Sequence, residues 1–437
     1  MMKKLLAALL LTALILSAAG CAASPAGQVP PPAAEETAAT PEPTPEPTPE
    51  PTPEPTPEPI REVEILGRTV PTDAKEIDLS GITDADAAEV AAKLALLTAP
   101  KILVIGSESD NPLSWESLKT LHDAAPGAEI DYAFKLWKKD LNLKDEVLDL
   151  KHIRMEDEGE QVRQITACMT NLKTLDMDSC GVSNEAMAAL RDSMPEVEVI
   201  WRVNFGRFYT ARTNTEKILA SMPGKAGNLV HNNVMALQYC TKVKYMDLGH
   251  NNHLDTIEFC RYMPDLEVLI VACTFVEDFS PLAECPKLEY VEALTSRLHD
   301  LTPFSGLKNL RHLNIAYNFA VTDITPLYSL TGLERLWIGA HDPVPPEQIA
   351  EFRRLVPTCD VNDTTTDPTE EHWRFSDYNG PGSSNYVPRY ALLKQQFGYE
   401  DEDFSFIWND PLYDYSWHPP VVEKDNVEDF IDEPDLS

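Results

Sequence analysis

Five stretches of the chain repeat one spacing of apolar side chains. VKYMDL begins at Val243, LEVLIV at Leu266, LEYVEA at Leu288, LRHLNI at Leu310 and LERLWI at Leu333. Each runs apolar-x-x-apolar-x-apolar, and the starts are 23, 22, 22 and 23 residues apart. A strand alternates its side chains between two faces, so the fourth and sixth positions face one way and the third and fifth the other. Repeats this short cannot dry their apolar face alone, so each must lie against its neighbours. The ninth positions are Asn251, Thr274, Ser296, Asn318 and His341. There a hydrogen-bonding side chain satisfies backbone groups as the strand turns away. A second motif follows: Asp278-Phe279-Ser280-Pro281-Leu282 recurs as Asp300-Leu301-Thr302-Pro303-Phe304 and Asp323-Ile324-Thr325-Pro326-Leu327. Ser or Thr before Pro predicts an N-cap with proline at the first helical position.

The pattern loosens toward the N-terminus. Leu172-Lys173-Thr174-Leu175-Asp176-Met177 reaches its ninth position at Cys180. A block from Glu76-Ile77-Asp78-Leu79 to Phe134 is echoed about 70 residues later from Val147-Leu148-Asp149-Leu150 to Val203. Asp84–Leu97, Trp115–Ala124 and Asn184–Met194 space their apolar residues as helices, with Ser, Asp or Thr near their starts. Residues 61–203 therefore read as irregular strand-helix repeats of about 24–27 residues; a separate α/β domain is the other reading. Residues 204–238 fit no rung and are expected to form an excursion or hairpin that breaks the array. Regular repeats then occupy 239–361.

L-x-x-L-x-L-x-x-N is the pattern of leucine-rich repeats, and the 22-residue period resembles the internalin type. The earlier part resembles the ribonuclease-inhibitor style. The resemblance covers about residues 74–361 and implies an α/β fold: a right-handed solenoid with parallel strands on its concave face.

The ends of the chain read differently. Lys3 and Lys4 precede an apolar run from Leu5 to Leu16, then Ser17-Ala18-Ala19-Gly20-Cys21. A charged start, a dozen apolar residues and a small-residue exit describe a secretory signal over 1–20, too short for a spanning helix. Ala18-Ala19-Gly20-Cys21 resembles the bacterial lipobox, with Ala18 where Leu is usual. The resemblance implies that Cys21 carries the lipid and that the chain is anchored outside the cytoplasm, at the cell surface. Cleavage at an ordinary signal site is the alternative. Residues 22–59 hold 14 prolines, seven glutamates and no basic residue. Proline locks φ and nothing here is apolar enough to pack, so residues 21–60 are expected to be a polyproline stalk of about 120 Å. At the other end, 362–420 is rich in aromatics, including Trp373, and is expected to cap the solenoid. Residues 421–437 read as an acidic tail.

The whole chain carries 71 acidic and 36 basic residues, a net charge of −35. Nucleic acid is therefore excluded as a partner, because binding it leans on Lys and Arg. No GxSxG, P-loop, HExxH or CxxC is present, so neither enzymatic activity nor a cofactor is expected. Asp176, Asp178 and Asp247 are too scattered to make a calcium cage, and no metal site is assigned. His250-Asn251-Asn252-His253 reads as turn chemistry. Cys240 and Cys285, in one column two rungs apart, are expected to be buried thiols.

Function is sought on the face opposite the core. Third positions supply Tyr245, Val268, Tyr290, His312 and Arg335; fifth positions supply Asp247, Ile270, Glu292, Asn314 and Trp337. Tyr, Trp and Arg are the types enriched at binding hot spots. Tyr245, Asp247, Tyr290, Glu292, His312, Asn314, Tyr317, Arg335 and Trp337 are therefore candidates to contact an extracellular protein, peptide or glycan from an exposed sheet. The second reading is a structural envelope protein without a dedicated ligand, its sheet covered by the C-terminal segment.

Overall fold

The computed structural model describes residues 61–206, 209–221, 229–366 and 373. The expected signal, Cys21, the stalk, the acidic tail and most of the aromatic cap lie outside these residues. Among the described residues, no helix is long and apolar enough to cross a membrane.

The chain opens with an antiparallel hairpin of β1 (Glu62–Ile65) and β2 (Arg68–Pro71). A first block follows: β3 (Glu76–Asp78), α1 (Ala87–Leu94), β4 (Ile102–Ser107), α2 (Trp115–Ala124), β5 (Glu129–Leu136) and β6 (Lys139–Asn142). β3, β4 and β5 are parallel, with Glu76 opposite Ile102 and Ile102 opposite Glu129, whereas β6 folds back antiparallel on β5. The second block repeats this plan with β7 (Val147–Asp149), α3 (Glu160–Thr166), β8 (Thr174–Asp176), α4 (Asn184–Ser193) and β9 (Glu198–Ile200). It too ends in a hairpin, of β10 (Arg202–Asn204) and β11 (Thr210–Arg212). The serines preceding α2 and α4 cap them: Ser114 Oγ accepts from the Ser117 amide at 3.2 Å and Ser183 Oγ from the Ala186 amide at 3.3 Å.

The third block is one seven-stranded parallel sheet. It starts at β12 (Lys217–Leu219), then α5 (His231–Val234), and continues through β13 (Tyr245–Asp247), β14 (Val268–Ile270), β15 (Tyr290–Glu292), β16 (His312–Asn314), β17 (Arg335–Gly339), α6 (Pro346–Leu355) and β18 (Asp360–Thr365). Short 3-10 turns at 235–239, 258–262, 280–284, 302–306 and 325–329 carry the chain back on the opposite side. Neighbouring strands pair in strict register: Tyr245 with Val268, Val268 with Tyr290, Tyr290 with His312, His312 with Arg335. Fourth positions (Met246, Leu269, Val291, Leu313, Leu336) and sixth positions (Leu248, Val271, Ala293, Ile315, Ile338) are at most 1% exposed. This is the leucine-rich-repeat fold.

Three expectations need correction. Lys217–Leu219, in the stretch expected to break the array, is itself the first strand of the large sheet, pairing with Tyr245–Asp247. Its apolar pattern is only three residues long, and the hairpin before it hides the restart. Repetition also continues past Val361, because β18 runs to Thr365 beside β17. Finally, Ser280, Thr302 and Thr325 are not caps; they are the first residues of the 3-10 turns. The preceding Asp does the capping: Asp278 accepts from the Ser280 amide, Asp300 from Thr302 and Asp323 from Thr325, at 2.8 to 2.9 Å. A tighter turn needs its acceptor two residues back, a reach suited to Asp.

Four of the five ninth positions act as their chemistry predicts; the fifth, His341, is exposed, and Asp342 beside it accepts from the Gly339 and Tyr317 amides. Asn251 Nδ2 donates to the carbonyls of Ala220 and Leu248 at 2.9 Å, and Asn318 Nδ2 to those of Ala293 and Ile315. Thr274 and Ser296 bond carbonyls three residues earlier, Val271 and Ala293. The residue before each of these four turns the corner with positive φ: His250 62°, Cys273 57°, Thr295 52° and Tyr317 61°. Gly rarely fills that slot in this chain, so each corner stores some strain.

Candidate functional site

Strict register stacks third and fifth positions into two columns on the face opposite the aliphatic core. Successive rungs lie about 4.8 Å apart, so Tyr290, His312 and Arg335 stand side by side, as do Glu292, Asn314 and Trp337. The expectation that this face is open to solvent is corrected. Asp247, Tyr290, Glu292, His312, Asn314, Arg335 and Trp337 are each no more than 3% exposed. Over Tyr290, Glu292, His312, Arg335 and Trp337, part of the cover is one residue far along the chain. Trp373, itself 0% exposed, lies against the columns.

The contacts around that indole are specific. Its Nε1–H donates to Glu292 Oε1 at 2.8 Å, and its carbonyl accepts from Arg335 Nη1 at 3.3 Å. The Arg335 guanidinium lies 4.3 Å from the Trp373 ring centroid and 5.5 Å from that of Trp337, within cation–π range. Tyr290 and Trp337 flank the indole with centroids at 5.4 and 5.5 Å. His312 meets it edge-on at 6.4 Å, and its Nε2 is 3.8 Å from a Glu334 carboxylate oxygen. The Tyr290 hydroxyl donates to the same Glu292 oxygen, so this carboxylate receives two donors at once.

Five of the nine candidates thus meet in one cage: Tyr290, Glu292, His312, Arg335 and Trp337. The others serve nearby. Half-buried Tyr245 donates to Glu267 at 3.3 Å. Asp247 and Asn314 turn back to accept from the amides two residues on, Gly249 and Ala316. Tyr317 donates to the Thr366 carbonyl, tying the segment after β18 to the sheet. Sequence reasoning placed Trp373 in an aromatic cap without assigning it a seat. The indole's 81-residue separation from Glu292 left no local signal.

A second cluster of charge sits in the middle block. Asp178, with 4% of its side chain exposed, accepts from two guanidinium nitrogens of Arg202, Nε and Nη2, at 3.0 and 2.9 Å, and from the Ser179 hydroxyl at 2.6 Å. Arg212 pairs with Asp176 and lies 3.4 Å from Asp178. Burial pushes the Asp178 carboxyl up, but the hydrogen bonds from Arg202 and Ser179 and the two guanidinium charges outweigh it and hold it below the usual range. The β10–β11 hairpin supplies both arginines, so these aspartates latch the hairpin rather than gather a metal. Among the described residues, no group of three or more His, Cys, Asp or Glu is placed to hold a metal ion.

The thiols are packing groups. Cys240, Cys260 and Cys285 are fully buried and unpaired, and burial pushes Cys240 and Cys285 up to about 12. His250 and Asn251 form the strand-ending turn described above.

No family model matches the chain, and no curated protein matches it. Its structural neighbours include internalin C2 of Listeria monocytogenes, at 15% identity and a TM-score of 0.27, covering 54% of this chain and 81% of the other. The leucine-rich-repeat protein LIC12759 of Leptospira interrogans covers 62% and 74% at 15% identity, with a TM-score of 0.30. An internalin, InlF, of Listeria monocytogenes covers 69% and 91% at 15% identity, with a TM-score of 0.26. At such scores the superpositions carry no argument about this chain, and the fold rests on its own strand register.

Proposed function

We propose that this chain is a non-catalytic recognition protein, held at a bacterial surface by a lipid on Cys21 and presenting the strand face of its large sheet to an extracellular protein. One observation carries the reading. The face of Tyr290, Glu292, His312, Arg335 and Trp337 engages an aromatic group by hydrogen bond, cation–π stacking and ring contact together. Those are the interaction types enriched at binding hot spots, made here within the chain, and the seated Trp373 equally favours the second reading, a structural envelope protein without a dedicated ligand. The lipobox and the proline-rich segment support placement of the array away from the membrane.

A photo-crosslinking residue in place of Tyr245, at the half-buried margin of this face, tests the reading in the full chain on intact cells. A single dominant protein adduct supports recognition. Adducts confined to the chain itself argue for a purely structural role. Cys21→Ala tests the anchor: the variant should leave the membrane fraction, and unchanged retention would refute lipidation.

A further inference from the structure

The second block ends in a strand whose far edge is left open. The Glu198 amide donates to the Lys173 carbonyl and the Ile200 carbonyl accepts from Met177, so these two residues of β9 face β8. Peptide groups alternate along a strand, and Val199 between them turns its N–H and C=O the other way. β9 closes its three-stranded sheet, and β12 opens the next one. Within the large sheet, the carbonyl just before a strand accepts amides of the following rung. Glu267 accepts from Glu289 and Tyr290, and Glu289 from Arg311 and His312. Val197 holds the same place before β9, and among the described residues nothing donates to its carbonyl. Val199 is only 5% exposed, and peptide groups of so buried a residue are nearly always paired.

This edge walls a cleft of about 440 Å³, within the size range of small-ligand sites. Its lining includes Arg191, Glu196, Val197, Glu198, Val199 and Lys242. Thr213, also in the lining, bonds both the amide and the carbonyl of Trp201, so the edge is open only before that residue. Glu196 and Glu198 flank the open Val197 carbonyl in the sequence. Among the described residues, neither carboxylate makes an ion pair or a side-chain hydrogen bond, and nor does the Lys242 ammonium. Arg191 is held over the Trp201 ring, 5.5 Å from its centroid. Acceptors crowd around Val197, where a cation fits, and the two basic side chains of the lining suit an anion.

We propose that this cleft binds a short free peptide, laid along β9 as an added strand. The open groups from Val197 to Val199 span about 7 Å, the reach of about three extended residues. The ligand's α-ammonium donates to the Val197 carbonyl beside Glu196 and Glu198. The Val199 amide donates to a ligand carbonyl, and the Val199 carbonyl accepts the ligand amide two residues on. Arg191 and Lys242 take the ligand's carboxylate. Main-chain pairing supplies the affinity, so the site selects a peptide with free ends rather than one side-chain sequence. The cleft shares no residue with the strand face of the large sheet, so peptide binding here and recognition there stand or fall separately.

Trialanine is the probe, titrated calorimetrically into the full chain at neutral pH and low salt. Saturable one-to-one binding is expected. N-acetyl-trialanine, which lacks the ammonium, and trialanine amide, which lacks the carboxylate, should each bind several-fold more weakly. Val199→Pro removes the cleft-facing N–H and spares the ladder with β8, because proline is tolerated where the N–H of an edge strand points outward. It should keep native circular dichroism and weaken trialanine about tenfold. Should that variant fail to fold, Glu196→Gln combined with Glu198→Gln decides, since both side chains are exposed. The double variant should weaken trialanine several-fold and leave the acetylated peptide unaffected. No saturable binding by the wild type, or indifference to both end modifications, would overturn the proposal. So would undiminished binding by a folded Val199→Pro or by the double variant.

Discussion

Trp373 donates its indole N–H to Glu292, 81 residues earlier, across 2.8 Å of an otherwise dry interface. Together with the bond from Arg335 to the Trp373 carbonyl, it seats Trp373 on the middle of the large sheet. Removing the acceptor strands two buried donors, the Trp373 indole and the Tyr290 hydroxyl, at about 1–3 kcal/mol each. Glu292→Ala should therefore lower unfolding stability by about 2–6 kcal/mol in urea titrations and weaken the near-ultraviolet signal of the packed aromatics. An unchanged midpoint would mean that the indole is not seated on Glu292.

The hairpin latch makes a pH-dependent prediction. Asp178 has a folded pKa held below its unfolded value of about 3.9. A depressed carboxylate stabilises above the unfolded value, and that contribution fades as pH falls through it toward the folded value. Asp178→Asn should therefore be less stable than wild type at pH 7, with the gap shrinking below about pH 4. Arg202→Met, which leaves the carboxylate buried with one partner fewer, should cost about 3–5 kcal/mol at pH 7. Urea unfolding across the pH range measures both.

Thr295 turns its corner at a φ of 52°, a conformation that a β-branched residue adopts at a cost. It is exposed, and its amide alone bonds the next rung, at the Ala316 carbonyl. Thr295→Asn keeps that amide and tolerates the left-handed region, so it should stabilise by about 0.5–1 kcal/mol. A lower melting temperature in calorimetry would contradict this.

Burial holds Cys240 and Cys285 protonated, with values of about 12, and pushes Cys260 well above the ordinary thiol value. Alkylation by iodoacetamide at pH 8 followed by mass spectrometry should mark Cys273, which is partly exposed, before any of these three. Rapid labelling of the native Cys260 would show that the thiol column is open.

The sequence made much of the core legible, because repeating Leu266, Leu288, Leu310 and Leu333 expose a period that no single rung reveals. The polar ninth positions were legible for the same reason. What escaped notice was set by distance or by brevity. β12 is a three-residue strand behind a hairpin, and its relation to Ile77 and Leu148, 71 and 70 residues apart along the chain, becomes visible only when Ile218 takes the matching place after a third hairpin. The aspartates at 176 and 178 looked like solvated charge until Arg202 and Arg212 arrived from the next hairpin. For the candidate face, residue types and columns could be read in advance. Its burial could not, because part of the cover, Trp373, comes from far along the chain.

The most direct test of the account compares two proteins on intact cells, each with the photo-crosslinking residue at 245. One retains Trp373 and the other carries Trp373→Ala. Both should give a single dominant protein adduct, and Trp373→Ala should change its yield several-fold without changing surface abundance. Adducts confined to the chain itself in both proteins, at matched abundance and with native circular dichroism, would contradict a recognition face.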